Sequence, residues 1–175
     1  MSDKKSPTEV VFHTPWFQVL SQKSAHGAHP NYFIQSTDFV VIVALDTQGR
    51  LLLVRQFRPA VGMATLELPA GHVEAGESPE EAARKELCEE TGCEGEVFEL
   101  LAKLSPSTSR FTNRTWVYFA PDVRPALKPQ HPREAGVEAV FHQGGLRLLL
   151  DNPEFFASGT CAALFAAAAK GKIRI

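Results

Sequence analysis

The sequence has little excess charge of either sign, and this argues against binding to nucleic acid. It contains 18 lysines and arginines against 20 aspartates and glutamates, so the net charge at neutral pH is −2. A chain without a strongly basic surface does not hold a nucleic-acid backbone by electrostatic attraction. We therefore expect no nucleic-acid partner, and an anionic small substrate would have to be bound by a few local arginines.

Cysteines and long apolar runs are also scarce. The 3 cysteines form no C-x-x-C pair, and their odd number argues against a disulfide framework and for a reducing compartment. The 6 histidines lack the spacing of a zinc site. The opening "MSDKKSPTEV" has no apolar segment behind its basic residues, and "CAALFAAAAKG" is too short to cross a bilayer. We expect a cytoplasmic protein with no membrane partner, and a buried helix at the alanine-rich segment.

The length of 175 residues and the hydrophobic content of 44% predict one globular domain with a small extension. The segments "WFQVLSQ" and "NYFIQS" flank a loop with glycine and proline, which predicts an N-terminal β-hairpin extension over residues 1–37. Residues 38–175 would form the main domain. There, "DFVVIVALD" and "RLLLVRQFR" are typical of strands buried on both faces. An α/β architecture with helices on both sides of the sheet follows.

The segment "GHVEAGESPEEAARKELCEETGC" contains a helix with defined ends. Ser78 can cap the helix, Pro79 suits its first position and Glu81 completes a capping box. Gly92 suits the left-handed residue that ends a helix. The predicted helix therefore runs from about Pro79 to Thr91.

Three glutamates of this helix lie close together at the edge of its buried face. Ala83 and Leu87 mark the buried side, and at about 100° per residue Glu90 projects about 20° from Ala83. Glu86, Glu89 and Glu90 are spaced i, i+3 and i, i+4, so their carboxylates converge. Partly desolvated like charges at this spacing repel by roughly a few kcal/mol, and a bound cation removes the penalty.

A glutamate-rich helix is more often simply a solvated face, and Glu81 and Lys85 are spaced to form an ordinary surface ion pair. Two features favour a metal site here: the carboxylates lie beside the apolar stripe, and a glycine-containing loop precedes the helix. Oxygen ligands on a rigid helix suit Mg²⁺ or Mn²⁺. A simple Ca²⁺-binding loop is not favoured, because the D-x-D-x-D-G spacing is absent.

The same segment resembles the Nudix box, G-x5-E-x7-R-E-U-x-E-E-x-G-U, in which U is a bulky apolar residue. The matching positions are Gly71, Glu77, Glu86, Leu87, Glu89, Glu90 and Gly92. Lys85 stands where the family has arginine, and Cys93 stands at the last apolar position. Lysine keeps the charge but loses the bidentate geometry.

The resemblance implies a Nudix fold, an α/β/α sandwich around a mixed sheet. It also implies a hydrolase of nucleoside diphosphates linked to another moiety, with Mg²⁺ as cofactor. Glu86 and Glu90 would be the main metal ligands, Glu89 would assist, and the backbone carbonyl of Ala70 would complete the site.

The stretch "VRQFRPAVGMATLELPAGHVEAGE" resembles the ADP-ribose pyrophosphatase branch of the family. The branch implies that Arg58 contacts the substrate, with Arg55 as a weaker candidate and His72 as a further substrate-binding candidate. It also implies a homodimer joined through the N-terminal region and a nucleobase held between aromatic side chains, which Trp16 and Tyr32 would supply. An aromatic pair in a hairpin is equally often just packing.

Two departures from the branch affect the substrate and the general base. "SPSTSRFTNRTW" lacks the branch's proline-glycine pair and places Arg114 near its acidic position, which favours ADP-ribose less and leaves other nucleoside diphosphate sugars open. In "REAGVEAV", Glu134 lies one residue out of register with the glutamate that the branch uses as general base. Glu134 is the predicted base, and Glu138 is the alternative.

The predicted function is hydrolysis of ADP-ribose or a related nucleoside diphosphate sugar to a nucleoside monophosphate and a sugar phosphate. Two alternatives remain open. One is a catalytically silent Nudix module that senses a nucleotide, and the intact glutamate set argues against it. The other is a Nudix hydrolase for coenzyme A or damaged nucleotides.

Overall fold

The N-terminal part of the chain is a small antiparallel sheet. The computed structural model describes residues 7–24, 27–128 and 131–174. The first sheet contains β1 (Thr8–His13), β2 (Gln18–Gln22) and β3 (Asn31–Gln35), with β2 in the middle. The predicted hairpin of β2 and β3 is confirmed, although residues 25 and 26 of its loop lie outside the described residues. The additional strand β1 was not predicted, because its apolar residues are contiguous and all six of its residues are exposed.

The second sheet is mixed and, in the described residues, has eight strands. They are β4 (Phe39–Asp46), β5 (Leu51–Arg58), β6 (Met63–Glu67), β7 (Ala70–His72), β8 (Cys93–Glu94), β9 (Glu99–Leu104), β10 (Thr115–Pro125) and β11 (Val137–His142). The order is β11-β5-β4-β10-β8, with β6 beside β5, β7 beside β4 and β9 beside β10. The β4–β10 pair is parallel and the other ladders are antiparallel.

Helices cover both faces of this sheet. They are α1 (Pro79–Thr91), α2 (Leu146–Leu150) and α3 (Ser158–Ala169). On β4, Val41 and Val43 pack into the apolar cluster that contains α3 residues, whereas Val40, Ile42 and Ala44 pack into the cluster that contains α1 residues. Each fully buried valine or isoleucine stabilises the fold by about 1.5–3 kcal/mol. The predicted α/β/α layering and the burial of β4 on both faces are confirmed.

The C-terminal helix is buried on one face only. In α3, Ala163, Leu164 and Ala167 are buried, but the Phe165 side chain is 71% exposed. The predicted burial of this segment therefore holds for one face of the helix only. Among the described residues, no helix combines the length and the apolar character that a bilayer crossing requires.

The two sheets meet at the end of β3. Ile34 pairs with Phe111, its backbone N–H donates to the Arg110 carbonyl at 2.6 Å, and its carbonyl accepts from the Thr112 N–H at 3.0 Å. The loop between β9 and β10 thus touches the N-terminal sheet. The division into residues 1–37 and 38–175 stays a prediction.

Candidate active site

Helix α1 begins and ends where the sequence predicts. The Ser78 hydroxyl accepts from the Glu81 N–H at 3.2 Å, and the Glu81 carboxylate accepts from the Ser78 N–H at 2.8 Å, which closes the capping box. Gly92 follows the last turn with φ 69°, in the left-handed region. These fixed ends set the rotation of the helix and hence the direction in which its glutamates point.

The Glu86 carboxylate lies directly against the backbone of β7. A Cβ on Gly71 would lie 2.0 Å from the Glu86 carboxyl carbon. A side chain at this position would therefore displace the Glu86 carboxylate from its place against the strand. The glycine at the start of the box is therefore explained by a close approach, not by backbone conformation.

Glu90 is buried beside Glu86, with its side chain only 3% exposed. Its Oε2 accepts from the Ala70 N–H at 2.8 Å, which ties α1 to β7. Burial raises the pKa of Glu86 to about 7, and the Glu89 charge is the next cause. Burial likewise raises the pKa of Glu90 to about 8; the Ala70 N–H opposes this rise and the Glu86 charge adds to it. Both carboxylates therefore bind protons readily near neutral pH, because burial outweighs the opposing charges of Lys85 at Glu86 and of Arg58 at Glu90.

The loop before α1 is held by Lys85. Its Nζ lies 3.0 Å from Glu74 Oε1 and 3.3 Å from Glu77 Oε1. The predicted surface pair of Glu81 with Lys85 is wrong, because Glu81 is engaged in the capping box while Lys85 turns toward the loop. The lysine therefore contacts two carboxylates of the loop through a single ammonium group.

The segment before β11 brings Glu134 to this cluster. The Glu134 N–H donates to the Glu89 carbonyl at 2.8 Å. The Glu134 charge contributes to the raised pKa of both Glu86 and Glu90, so its carboxylate lies within electrostatic reach of them. Glu134 itself is exposed.

Glu138, the alternative base, lies at a different place. It stands on β11 opposite Arg55 of β5. Arg55 in turn donates two hydrogen bonds to Glu154, at 2.8 and 2.6 Å. The pKa of Arg55 is raised first by Glu154 and to a smaller extent by Glu138. Arg55 and Glu138 thus belong to a separate group of charges on the outer sheet surface.

Arg58 is closer to the glutamate cluster and is already oriented. It donates two hydrogen bonds to Glu67, at 3.0 and 2.9 Å, and the Thr65 hydroxyl donates to the same carboxylate at 2.6 Å. Glu67 is the main cause of the raised pKa of Arg58, and Glu90 and Glu134 add to it. The guanidinium is therefore fixed beside the carboxylates that the sequence predicts as metal ligands.

Trp16 and Tyr32 are exposed, at 79% and 48% respectively, but they do not face each other within one chain. Trp16 precedes β2, whereas Tyr32 of β3 pairs with Ser21 near the far end of β2. At about 3.3 Å per residue, the strand from Gln18 to Ser21 alone spans about 10 Å, and Trp16 lies in the turn that precedes Gln18. A sandwich around one base would therefore need an aromatic side chain from each of two subunits.

His72 borders a cavity next to the glutamates. Its Nδ1 lies 3.0 Å from the Thr37 hydroxyl, and its ring packs edge-on against Phe39 with centroids 5.1 Å apart. The cavity has a volume of about 450 Å³. Its walls include Glu67, Ala70, Leu104, Phe111 and Thr160. The cavity lining is mostly apolar. It includes Glu67, which binds Arg58, and Ala70, whose backbone carbonyl is a predicted metal ligand.

The donor set suits a hard divalent cation. Within the described ranges, no three histidine, cysteine, aspartate or glutamate side chains lie close enough to close a metal site by themselves. Mg²⁺ does not need such a cage, because it is usually bound by one or two carboxylates together with waters and substrate phosphates. The half-buried Glu86 and the buried Glu90, both with raised pKa values and both beside the backbone of β7 at Ala70 and Gly71, fit this mode of binding.

Some residues of the site were missed in the sequence. Glu67 orients Arg58, Glu154 orients Arg55, and Arg133 contacts the end of α1. A lone acid inside the apolar segment "TLELPAG" was a usable signal for Glu67. Nothing in the local sequence marks the other two, since their partners lie 99 and 42 residues away.

Comparison with known proteins agrees with this geometry. Residues 36–151 match the NUDIX domain. The chain is 45% identical over 86 residues to the ADP-sugar pyrophosphatase of Mus musculus, which covers 45% of this chain and 39% of the relative. It is 36% identical over 98 residues to the ADP-ribose pyrophosphatase of Mycobacterium tuberculosis, covering 55% and 47%. These matches span less than half the length of either relative.

Longer matches point the same way. The ADP compounds hydrolase NudE of Escherichia coli is 31% identical over 127 residues, which covers 71% of this chain and 67% of that protein. A crystal structure of an ADP compounds hydrolase superposes with a TM-score of 0.74 and 25% identity over 95% of both chains. The box on α1, the mixed sheet and the matched domain together place this chain in the Nudix family.

Proposed function

We propose that this chain hydrolyses the diphosphate bond of ADP-ribose or a related nucleoside diphosphate sugar. The observation that carries the proposal is the pair of helix carboxylates at β7: the half-buried Glu86 lies against Gly71, and the buried Glu90 accepts from the Ala70 N–H. The Glu134 backbone is bonded to the same helix. The printed names of the relatives, which act on ADP-ribose, ADP-sugars or ADP compounds, support the substrate class.

The cofactor is a divalent cation, Mg²⁺ or alternatively Mn²⁺. Glu86 and Glu90 would hold it, with help from Glu89 and the Ala70 carbonyl. When bound, such a cation neutralises phosphate oxygens and makes a bound water more acidic. Both carboxylates lie on a capped helix, and Glu90 is also held by the Ala70 N–H, which favours a site that is formed before substrate arrives.

The other residues bind the substrate and move a proton. Arg58, held by Glu67, offers its guanidinium to a diphosphate oxygen. Glu134 accepts a proton from the attacking water, whose oxygen forms the new bond to phosphorus while the bridging P–O bond breaks. The products are a nucleoside monophosphate and a sugar phosphate. Arg55 and His72 are further substrate contacts, and Arg55 reaches the substrate only by leaving Glu154.

The nucleobase is proposed to stack between Trp16 of one subunit and Tyr32 of another. Val10, Val11 and Phe12 of β1 are each about half exposed, at 51%, 49% and 54%, and they offer an apolar surface for a homodimer. Exposed aromatic side chains at the two ends of the N-terminal sheet suit a site completed by a second copy.

One experiment tests the reaction. The purified chain is incubated with Mg²⁺ and a panel of nucleoside diphosphate sugars, coenzyme A and oxidised nucleotides in ¹⁸O-labelled water, and the products are identified by mass. We expect the fastest turnover with an ADP-sugar and the label on one of the two phosphates. Turnover only of coenzyme A or of oxidised nucleotides would show that the substrate is not a nucleoside diphosphate sugar. Label on the sugar carbon would exclude attack of water at phosphorus.

A further inference from the structure

The segment that carries Glu134 is attached to the C-terminal end of α1. The Arg133 guanidinium donates from Nη1 to the Thr91 carbonyl at 2.8 Å and from Nη2 to the Glu90 carbonyl at 3.0 Å. The next residue, Glu134, donates its N–H to the Glu89 carbonyl at 2.8 Å. Three hydrogen bonds therefore join two consecutive residues to the last turn of the helix that carries the glutamate cluster.

Arg133 supplies what the helix itself lacks. The last turn of α1 contains no basic residue. The last carbonyls of a helix have no partner within it and carry a partial negative charge, which a cation stabilises by roughly 0.3–1 kcal/mol at an exposed site. The Arg133 guanidinium satisfies two of these carbonyls, so this arginine has a specific partner although it is exposed.

Gly92 leaves room for this contact. A Cβ on Gly92 would lie 2.7 Å from Arg133 Nη1. The glycine is also needed for its φ of 69°, which ends the helix. Gly92 of the Nudix box thus both ends α1 and leaves space for the Arg133 guanidinium.

We propose that Arg133 is a positioning residue that fixes Glu134 over Glu86 and Glu90. The inference rests on the proposed function, in which Glu134 is the general base. With the Arg133 head group and the Glu134 N–H both bonded to α1, the Glu134 backbone keeps one place relative to the helix. Its carboxylate then needs to adjust only its side-chain torsions to reach the attacking water. A base that is one ångström out of place loses much of its effect.

Kinetics of four variants test the proposal. Arg133→Met removes the guanidinium, Arg133→Lys keeps the charge, Glu134→Gln removes the base, and the double variant combines the first and third. We expect Arg133→Met to lower kcat at least about 10-fold with KM within about 2-fold, and Arg133→Lys to recover part of the loss. The double variant should be no slower than Glu134→Gln alone, because the arginine acts through the glutamate.

The matched control is Arg124→Met. Arg124 is another exposed arginine that pairs only with surface glutamates, Glu94 and Glu96, among the described contacts. Its loss should leave kcat unchanged. A kcat of Arg133→Met that falls less than 10-fold, or effects of Arg133→Met and Glu134→Gln that multiply in the double variant, would overturn the positioning role.

A measurement without turnover separates this inference from the proposed function. Hydrogen exchange of the Glu134 amide reports its bond to the Glu89 carbonyl. We expect faster exchange in Arg133→Met than in wild type, with no change in Arg124→Met. We call the attachment of Glu134 to α1 through Arg133 the anchor. If wild type hydrolyses none of the nucleotides, the proposed function fails, but faster exchange in Arg133→Met still supports the anchor. Unchanged exchange in Arg133→Met overturns the anchor even if the wild-type enzyme is active.

Two glycine variants separate backbone strain from loss of the anchor. Gly92→Ala forces a Cβ at positive φ and displaces the Arg133 head group. Gly49→Ala imposes the same kind of strain, at φ 74°, with nothing within 4 Å. Both should lower the melting temperature, but only Gly92→Ala should lower kcat and speed the exchange of the Glu134 amide. Equal kcat values in the two variants would count against the anchor.

Discussion

The two sets of carboxylates at the candidate site are built in opposite ways. Glu86 and Glu90 lie on a capped helix beside the backbone of β7, Glu86 half-buried and Glu90 buried, and loss of solvation is the first cause of their raised pKa values. Glu134 lies on an exposed segment and is held only through backbone and neighbouring contacts. Burial and rigidity would suit the helix carboxylates to their proposed role as cation ligands, whereas the proposed base needs access to water and freedom for its side chain. The following substitutions test this division.

The largest fall in kcat is expected from loss of the buried Glu90 carboxylate. Glu90→Gln removes a proposed metal ligand while keeping size and shape. Loss of several kcal/mol of charge stabilisation in the transition state corresponds to a fall in kcat of about 10³-fold or more. Initial rates with saturating Mg²⁺ measure it. Glu80→Gln is the control on the same helix, because Glu80 is a surface residue paired with Arg84. Near-normal turnover in Glu90→Gln would sink the metal assignment.

Loss of the exposed Glu134 carboxylate should lower kcat less than loss of Glu90. Glu134→Gln is expected to lower kcat about 100-fold with little change in KM, which is a typical loss for a general base. Glu138→Gln should do much less, because Glu138 lies opposite Arg55 and away from the cluster. Steady-state kinetics with an ADP-sugar compare the two. A normal Glu134→Gln beside a defective Glu138→Gln would reverse the choice of base.

The burial of the helix carboxylates also predicts a pH dependence of stability. The pKa values of Glu86 and Glu90, about 7 and about 8, lie above the ordinary glutamate value of 4.5, so the folded metal-free chain retains protons that the unfolded chain has released. Their stabilising contribution is complete below about pH 4.5 and is lost as the pH rises through 7 and 8. We expect the free energy of unfolding to fall by a few kcal/mol between these limits.

Denaturant unfolding in EDTA at pH 5.5 and pH 8.5 measures this fall. Glu90→Gln should flatten the dependence and be more stable than wild type at the higher pH, because it carries no ionisable group there. Added Mg²⁺ should stabilise wild type at high pH by binding the ionised carboxylates. A wild-type stability that rises with pH more steeply than that of Glu90→Gln would contradict the proposed desolvation of this pair.

The smallest effect is expected far from the carboxylates. Trp16→Ala should raise KM about 10-fold with a smaller change in kcat, in line with roughly 1–3 kcal/mol for stacking of a base on an aromatic ring. Leu127→Ala is the control, since Leu127 is also highly exposed, at 90%. Sedimentation of wild type gives the oligomeric state. An unchanged KM in a monomeric protein would mean that neither Trp16 nor the N-terminal sheet contributes to a shared base site.

The helix was predictable almost to the residue because its signals are local. The capping box, the proline and the terminal glycine act within one turn of the positions they define, and 3.6-residue periodicity relates Leu87 to its glutamate neighbours. Strand β4 and the first half of β5 were predictable for a related reason, since a run buried on both faces is apolar throughout; the predicted burial fails in the second half of β5, from Arg55 onward. The strand β1 was missed because an exposed strand has no such pattern.

Charge pairing was harder to predict than secondary structure. Lys85 could be assigned to Glu81 by helical spacing, but the loop that folds back over the helix offered Glu74 and Glu77 instead. Arg55 and Arg58 could not be ranked from their strand, because their partners Glu154 and Glu67 come from other elements. Ion pairs depend on which surfaces meet, and side-chain spacing along one element does not contain that information.

The sequence by itself determined the fold class, the bounds of α1 and the position of Glu86 and Glu90 beside its buried face, because hydrophobic periodicity and capping operate over a few residues. Only the tertiary structure decided that the Glu86 carboxylate lies against Gly71, that the Glu134 backbone is bonded to α1 while Glu138 pairs with Arg55 in the sheet, and that Trp16 and Tyr32 lie near opposite ends of β2. Each of these depends on a contact or separation between elements distant in sequence. Such contacts are set by the packing of the sheet and helices as a whole.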